Sequence, residues 1–113
     1  MIEVRNINDV ELDENDERRI WRLLYPETLG GAEYGAVGGV ASYKPSDTPL
    51  PLGNAHKNPE LYYIIRGKGV VATPEGEVEV QAGDTFVNPP GMEHSIWSST
   101  DEEMLTWYVA IRR

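Results

Sequence analysis

GDTFVNPPGMEH, residues 83–94, runs a strand into a rigid turn and ends on one of only two histidines in the chain. Thr85 to Asn88 has strand composition. Pro89-Pro90-Gly91 stops it, because fixed φ angles and missing N–H groups cannot continue a ladder. The other histidine, His56, stands four residues before Glu60, which heads the apolar run Leu61–Ile65 (LYYII). A carboxylate placed there is costly unless it finds a metal, an arginine or several donors. Two histidines and a carboxylate delivered by the mouths of two hairpins can converge on one ion. Imidazole nitrogen and carboxylate oxygen suit iron, manganese, nickel, zinc or copper, with coordination positions left open.

Working outward, strand signals dominate. Val70–Thr73, Glu77–Gln81 (EVEVQ), His94–Ser98 and Met104–Arg112 are further strands, separated by the turns Arg66–Gly69, Pro74–Gly76, Ala82–Asp84 and Ser99–Glu102. Alternation predicts Val78 and Val80 inward, with Glu77, Glu79 and Gln81 outward. Upstream, Tyr34–Lys44 (YGAVGGVASYK) reads as a strand whose glycines admit a close neighbour. Arg19–Tyr25 (RIWRLLY) is a strand ended by Pro26, Ser46–Gly53 is a loop, and Ile2–Ile7 is a short edge strand. Many short strands at this spacing predict an antiparallel all-β sandwich or barrel in one domain.

Composition narrows the function classes. The 113 residues carry a formal charge of −9 and no cysteine. That excludes disulfides and thiolate metal sites, and fits a reducing, cytoplasmic setting. Nucleic-acid binding is not expected, because phosphate recognition needs clustered Lys and Arg. No apolar stretch has the length of a membrane span, and the start does not read as a secretory signal. Asp9, Glu11, Asp13, Glu14, Asp16 and Glu17 form an acidic block, read as a solvated loop within residues 1–18.

Two spacings resemble the cupin superfamily. Asn54-x-His56-x3-Glu60-x6-Gly67 is similar to its first motif, and Gly83-x5-Pro89-x-Gly91-x2-His94 to most of its second. The chain is thereby identified as a small single-domain cupin over residues 1–113, with the first motif at about 53–67 and the second at 83–98. The resemblance implies a double-stranded β-helix, the jelly-roll barrel. It also implies one divalent transition metal per chain (Fe, Mn, Ni, Zn or Cu) held by His56, Glu60 and His94. The family's usual first histidine is here Asn54, a weaker or water-mediated ligand. Its terminal asparagine is here Ser98.

Phase places further residues around that site. Tyr62, Ile64 and Arg66 continue the face of Glu60 provided no bulge intervenes, and Ile96 and Ser98 continue that of His94. Tyr43, Tyr62, Ile96 and Ser98 are the expected substrate pocket, with Tyr62 the first candidate for proton transfer. Tyr63 and Glu93 are expected at the surface. Trp97 is expected on the outer face, beneath a terminal strand or at a subunit contact. The expected function is that of a metal-dependent enzyme (isomerase, decarboxylase, lyase or dioxygenase) on a hydroxy acid, sugar acid or diketone. The alternative is a non-catalytic small-metabolite or sugar binder. Apolar faces on both sides of the last strand, with the resemblance, imply a homodimer.

Overall fold

The computed structural model describes residues 2–30, 35–53 and 55–112. Its strands are β1 (Leu12–Glu14), β2 (Arg18–Leu24), β3 (Ala36–Tyr43), β4 (Glu60–Arg66), β5 (Lys68–Thr73), β6 (Gly76–Gln81), β7 (Thr85–Asn88), β8 (Ser95–Ser98) and β9 (Met104–Ile111). They form a six-stranded sheet, β1-β2-β3-β9-β4-β7, and a three-stranded sheet, β6-β5-β8. Every strand pair is antiparallel. This is the expected all-β jelly roll.

Alternation decides what each strand buries. On β4, Tyr62 and Ile64 are buried while Leu61, Tyr63 and Ile65 are exposed. Ala41, Ile64, Met104 and Thr106 make the sealed centre, joined by Val71, Val80 and Ile96 of the smaller sheet. Thr106 avoids an orphaned hydroxyl by donating to the Ala41 carbonyl at 2.8 Å. Gly38 and Gly39 admit close neighbours, as their sequence suggests. A Cβ on Gly38 would run into the Tyr108 carbonyl, and one on Gly39 into that of Trp21.

Several expectations are corrected. Ile2 to Asn6 forms no strand; a short 3-10 turn over Ile7–Asp9 follows, and the edge strand lies at Leu12–Glu14, inside the acidic block. Counter-charges explain the order there: Asp13 pairs with Arg22 at 2.8 Å, and Glu14 with Lys44 at 2.8 Å and Arg19 at 3.1 Å. The turn expected at Arg66–Gly69 shrinks to Gly67 between β4 and β5. Val78 is 63% exposed, because β6 is an edge strand and Val78 lies near its open tip. A register shift between Ile64 and Arg66 ends the inward phase of β4, so Arg66 faces outward beside Arg19 and Trp21. Trp97, out of phase with the core residue Ile96 and outside the core cluster, is buried within the chain rather than left open for a subunit contact. The segment after β3 runs alongside β8, bonded to it from Lys44 and Ser46 to Ser98 and from Gly53 to His94.

Candidate metal centre

Two backbone hydrogen bonds bring the two motif loops together. The Gly91 N–H donates to the His56 carbonyl at 2.8 Å, and the Gly53 N–H donates to the His94 carbonyl at 2.7 Å. Gly91 has φ +77°, the left-handed region that glycine enters without steric cost, so the turn after Pro89-Pro90 closes there. Glu60, first residue of β4, then lies between the imidazoles. Its Oε1 is 3.7 Å from Nε2 of His94 and 3.8 Å from Nε2 of His56, and the rings are 5.6 Å apart.

One ligand atom from each residue lies within 4.8 Å of the others. Ligand bonds of about 2.1 Å put donor atoms roughly 3 Å apart at right angles and about 4.2 Å apart across one ion, so the spacing fits. The donor set fits too. Oε1 of Glu60 is buried with no hydrogen-bond partner, an arrangement a cation satisfies. Burial holds the His94 imidazole below the ordinary histidine range, against the opposing pull of Glu60. A neutral imidazole is the form that ligates. The side chain of His56 is 55% exposed and marks the mouth. Asn54, the expected weak fourth ligand, lies outside the described residues.

Behind this end lies a cavity of about 590 Å³. Tyr43, Tyr62 and Ile96 line it. Tyr62 is fixed between rings, stacked on Phe86 at 4.7 Å and Tyr108 at 6.0 Å. Burial pushes its hydroxyl well above the ordinary phenol range, with Tyr43 and Glu60 adding to the shift. Ser98 is not part of the lining. It is fully buried, and its hydroxyl serves the turn after β8, donating to the Glu102 carbonyl and accepting from the Thr100 N–H.

Four site residues escaped the sequence reading. Asn88 is 2% exposed, is registered opposite Glu60, and places its amide nitrogen 2.9 Å from Nδ1 of His94. Its signal was a polar residue in a strand immediately before Pro89. Arg18, Arg22 and Tyr108 also line the cavity. Arg18, Ile20 and Arg22 alternate in phase, so two guanidinium groups share the inner face of β2 with an apolar side chain. Gly39 separates Arg22 from Tyr108 across the sheet and interposes no side chain.

An antiparallel jelly roll with a His-Glu-His cluster at one mouth defines the class. Residues 39–111 match the family described as the cupin domain, and the chain belongs to that family. It is 29% identical over 77 residues to uncharacterised protein MJ1618 of Methanocaldococcus jannaschii, covering 68% of this chain and 59% of that relative. The chain thus spans somewhat over half the length of that curated relative. A predicted oxalate decarboxylase of Thermotoga maritima has a similar structure, with TM-score 0.80, 20% identity and coverage of 98% of this chain and 100% of that one. FeII HppE is similar at TM-score 0.81 and 11% identity, over 97% of this chain and 60% of that one. At these identities the two structures speak for the fold alone.

Proposed function

We propose that this chain binds one divalent transition metal through His56, Glu60 and His94 and acts as a metal-dependent enzyme on a small polar, oxygen-rich molecule. The observation that carries the reading is the buried, unpartnered Oε1 of Glu60, with Nε2 of both histidines within 3.8 Å. Fold similarity to an iron(II) protein and to a predicted decarboxylase supports it. A bound ion of this kind polarises a carbonyl or carboxylate, or activates water or dioxygen. The chain's own residues hold and orient. Glu60 and His94 are fixed inside the mouth, Asn88 sets the ring of His94, and Tyr62 offers a protonated hydroxyl along the cavity. The lining is compatible with isomerase, decarboxylase, lyase and dioxygenase chemistry alike.

Metal content of protein purified without chelators tests the reading. About one equivalent per chain is expected, lost in a folded His94→Ala variant. Stoichiometric metal absent even after reconstitution would overturn it. The second reading is binding without turnover. It is favoured by Tyr62, whose burial keeps the hydroxyl protonated and makes it a weak proton donor, while stacking holds the ring in place.

Three further assignments accompany this one. Residues 1–113 are read as a single cupin domain. The outer face of the large sheet, where Leu61, Tyr63, Val87 and Trp107 are between 39% and 57% exposed, is assigned to a homodimer contact. The lack of cysteine supports a cytoplasmic location; no helix among the described residues is long and apolar enough to cross a membrane.

A further inference from the structure

β2 carries two arginines into the cavity, and among the described residues only one carboxylate, that of Asp13, pairs with them within 4.0 Å. Asp13, on edge strand β1, is registered opposite Ile20, the residue between Arg18 and Arg22 on the same face. It accepts from Nη1 of Arg22 at 2.8 Å and lies 3.9 Å from Nη1 of Arg18, too far for a hydrogen bond. Nη1 of Arg18 is therefore buried without a partner. An unpartnered guanidinium N–H away from water is costly, and a second carboxylate is the group whose geometry matches it.

The charge balance points the same way. Around the cavity, Arg18 and Arg22 stand against Glu17, Glu60 and the Asp13 that pairs with them, so the balance is singly negative with neutral histidines. A divalent ion at the mouth would turn it singly positive, inside a chain of net charge −9. A partly enclosed space with that balance favours an anion over a neutral polyol or diketone. The small walls contributed by Val37, Ala41 and Ala110, with no side chain at Gly39, leave room between β2 and the Glu60 end.

We propose that Arg18 and Arg22 form a carboxylate-binding wall, and that the cavity takes a small carboxylate-bearing molecule whose remaining oxygens reach the His56–Glu60–His94 end. Asp13 is the internal occupant of that wall, holding Arg22 until a ligand carboxylate competes for it. The proposal rests on the metal-centre reading for its second contact point, but the arginine wall is testable without metal.

The test is calorimetric titration of the full chain, metal-loaded and chelator-treated, with L-malate, succinate and L-lactate against pentane-2,4-dione and D-glucose. The carboxylates are expected to bind and the neutral probes not. Arg22→Gln and Arg18→Gln each weaken malate binding by about tenfold or more while metal content stays unchanged, as loss of a charge-assisted bond predicts. Asp13→Asn tightens it, because the internal competitor is gone. A merely structural clamp would show no such gain. Unchanged malate affinity in both arginine variants, equal binding of the neutral probes, or no carboxylate binding at all overturns the proposal. Should the arginine variants fail to fold, Asp13→Asn decides: unchanged or weaker binding refutes it. Arginine-dependent malate binding to protein that takes up no metal would uphold this wall and refute the metal centre. One equivalent of metal without arginine-dependent binding would do the reverse.

Discussion

The side-chain amide of Asn88 stands 2.9 Å from Nδ1 of His94, on the side of the ring opposite the atom that faces Glu60. Which nitrogen of His94 carries the proton is set by which end of that amide it meets. As placed, the amide nitrogen donates to Nδ1 and leaves the proton on Nε2; the amide turned end for end presents its carbonyl oxygen, which accepts from Nδ1–H and frees the lone pair of Nε2 for a metal. Asn88→Leu is expected to leave the ring unsupported. It should cost about 1–3 kcal/mol of stability and lower metal affinity roughly 10- to 100-fold, read by thermal melts and metal titration. Asn88→Asp, which can only accept when ionised, should retain most of the metal affinity.

Gly91 and Gly39 are constrained for different reasons and should respond differently to alanine. Nothing lies within 4 Å of a Cβ built on Gly91, so Gly91→Ala meets only the cost of φ +77°, about 1–2 kcal/mol. At Gly39 the Cβ would meet the Trp21 carbonyl, and β2 must shift. That overpacking is expected to cost about 2–3 kcal/mol and to disturb Arg22 as well. Denaturant melts give the two costs. If Gly39→Ala proves the milder change, the close approach of β2 is not as described.

Bound metal should stabilise the fold by mass action. With free ion at about 100 times its dissociation constant the gain is about 2.7 kcal/mol. For a domain of this size that is a rise in melting temperature of roughly 10 °C. Chelation should reverse the rise, and His94→Ala should show none. An identical melt with and without chelator would contradict the ligand set.

The β1 clasp should loosen in acid. The hydrogen bond from Arg22 holds Asp13 below its ordinary carboxyl range, and that from Lys44 does the same for Glu14. Carboxyl groups lowered on folding stabilise the fold above their unfolded values, near 3.8 and 4.5. That contribution is lost as pH falls through the lower folded values. Amide exchange within Leu12–Glu14 should accelerate below about pH 4 and with added salt, ahead of exchange in β4 and β9.

The outer sheet face gives an oligomeric prediction. Trp107 and Tyr63 are registered partners, 41% and 50% exposed, on one apolar surface. Tyr63→Lys with Trp107→Lys should convert a dimer to a monomer by light scattering without lowering metal content. Monomeric parent protein at micromolar concentration would remove the assignment.

Strands whose burial alternates were legible in the sequence: Leu61–Ile65, Thr85–Asn88 and Met104–Ile111 lie where their side-chain period puts them. The convergence of His56, Glu60 and His94 was legible too, because two turns and a family spacing fix it. What escaped depends on partners remote in sequence. Leu12–Glu14 looks like solvated acid until Arg22, Arg19 and Lys44 are seen beside it. Val78 has the phase of a core residue, but phase does not say that β6 is an edge. Arg66 followed alternation until a bulge reversed it. Arg22 was hidden in a strand read for its apolar residues, and Arg18 fell just outside the strand's expected start at Arg19, so their shared phase with Ile20 went unread.

The bonds Gly91 to His56 and Gly53 to His94 run between main-chain atoms alone. Placement of the ligands is therefore carried by atoms every residue possesses, while the chemistry of ligation is carried by side chains that can change. Such a division lets a lineage exchange donors one at a time without dismantling the mouth. Position 54, an asparagine where the resembled first motif would carry histidine, is the place at which such an exchange would be read.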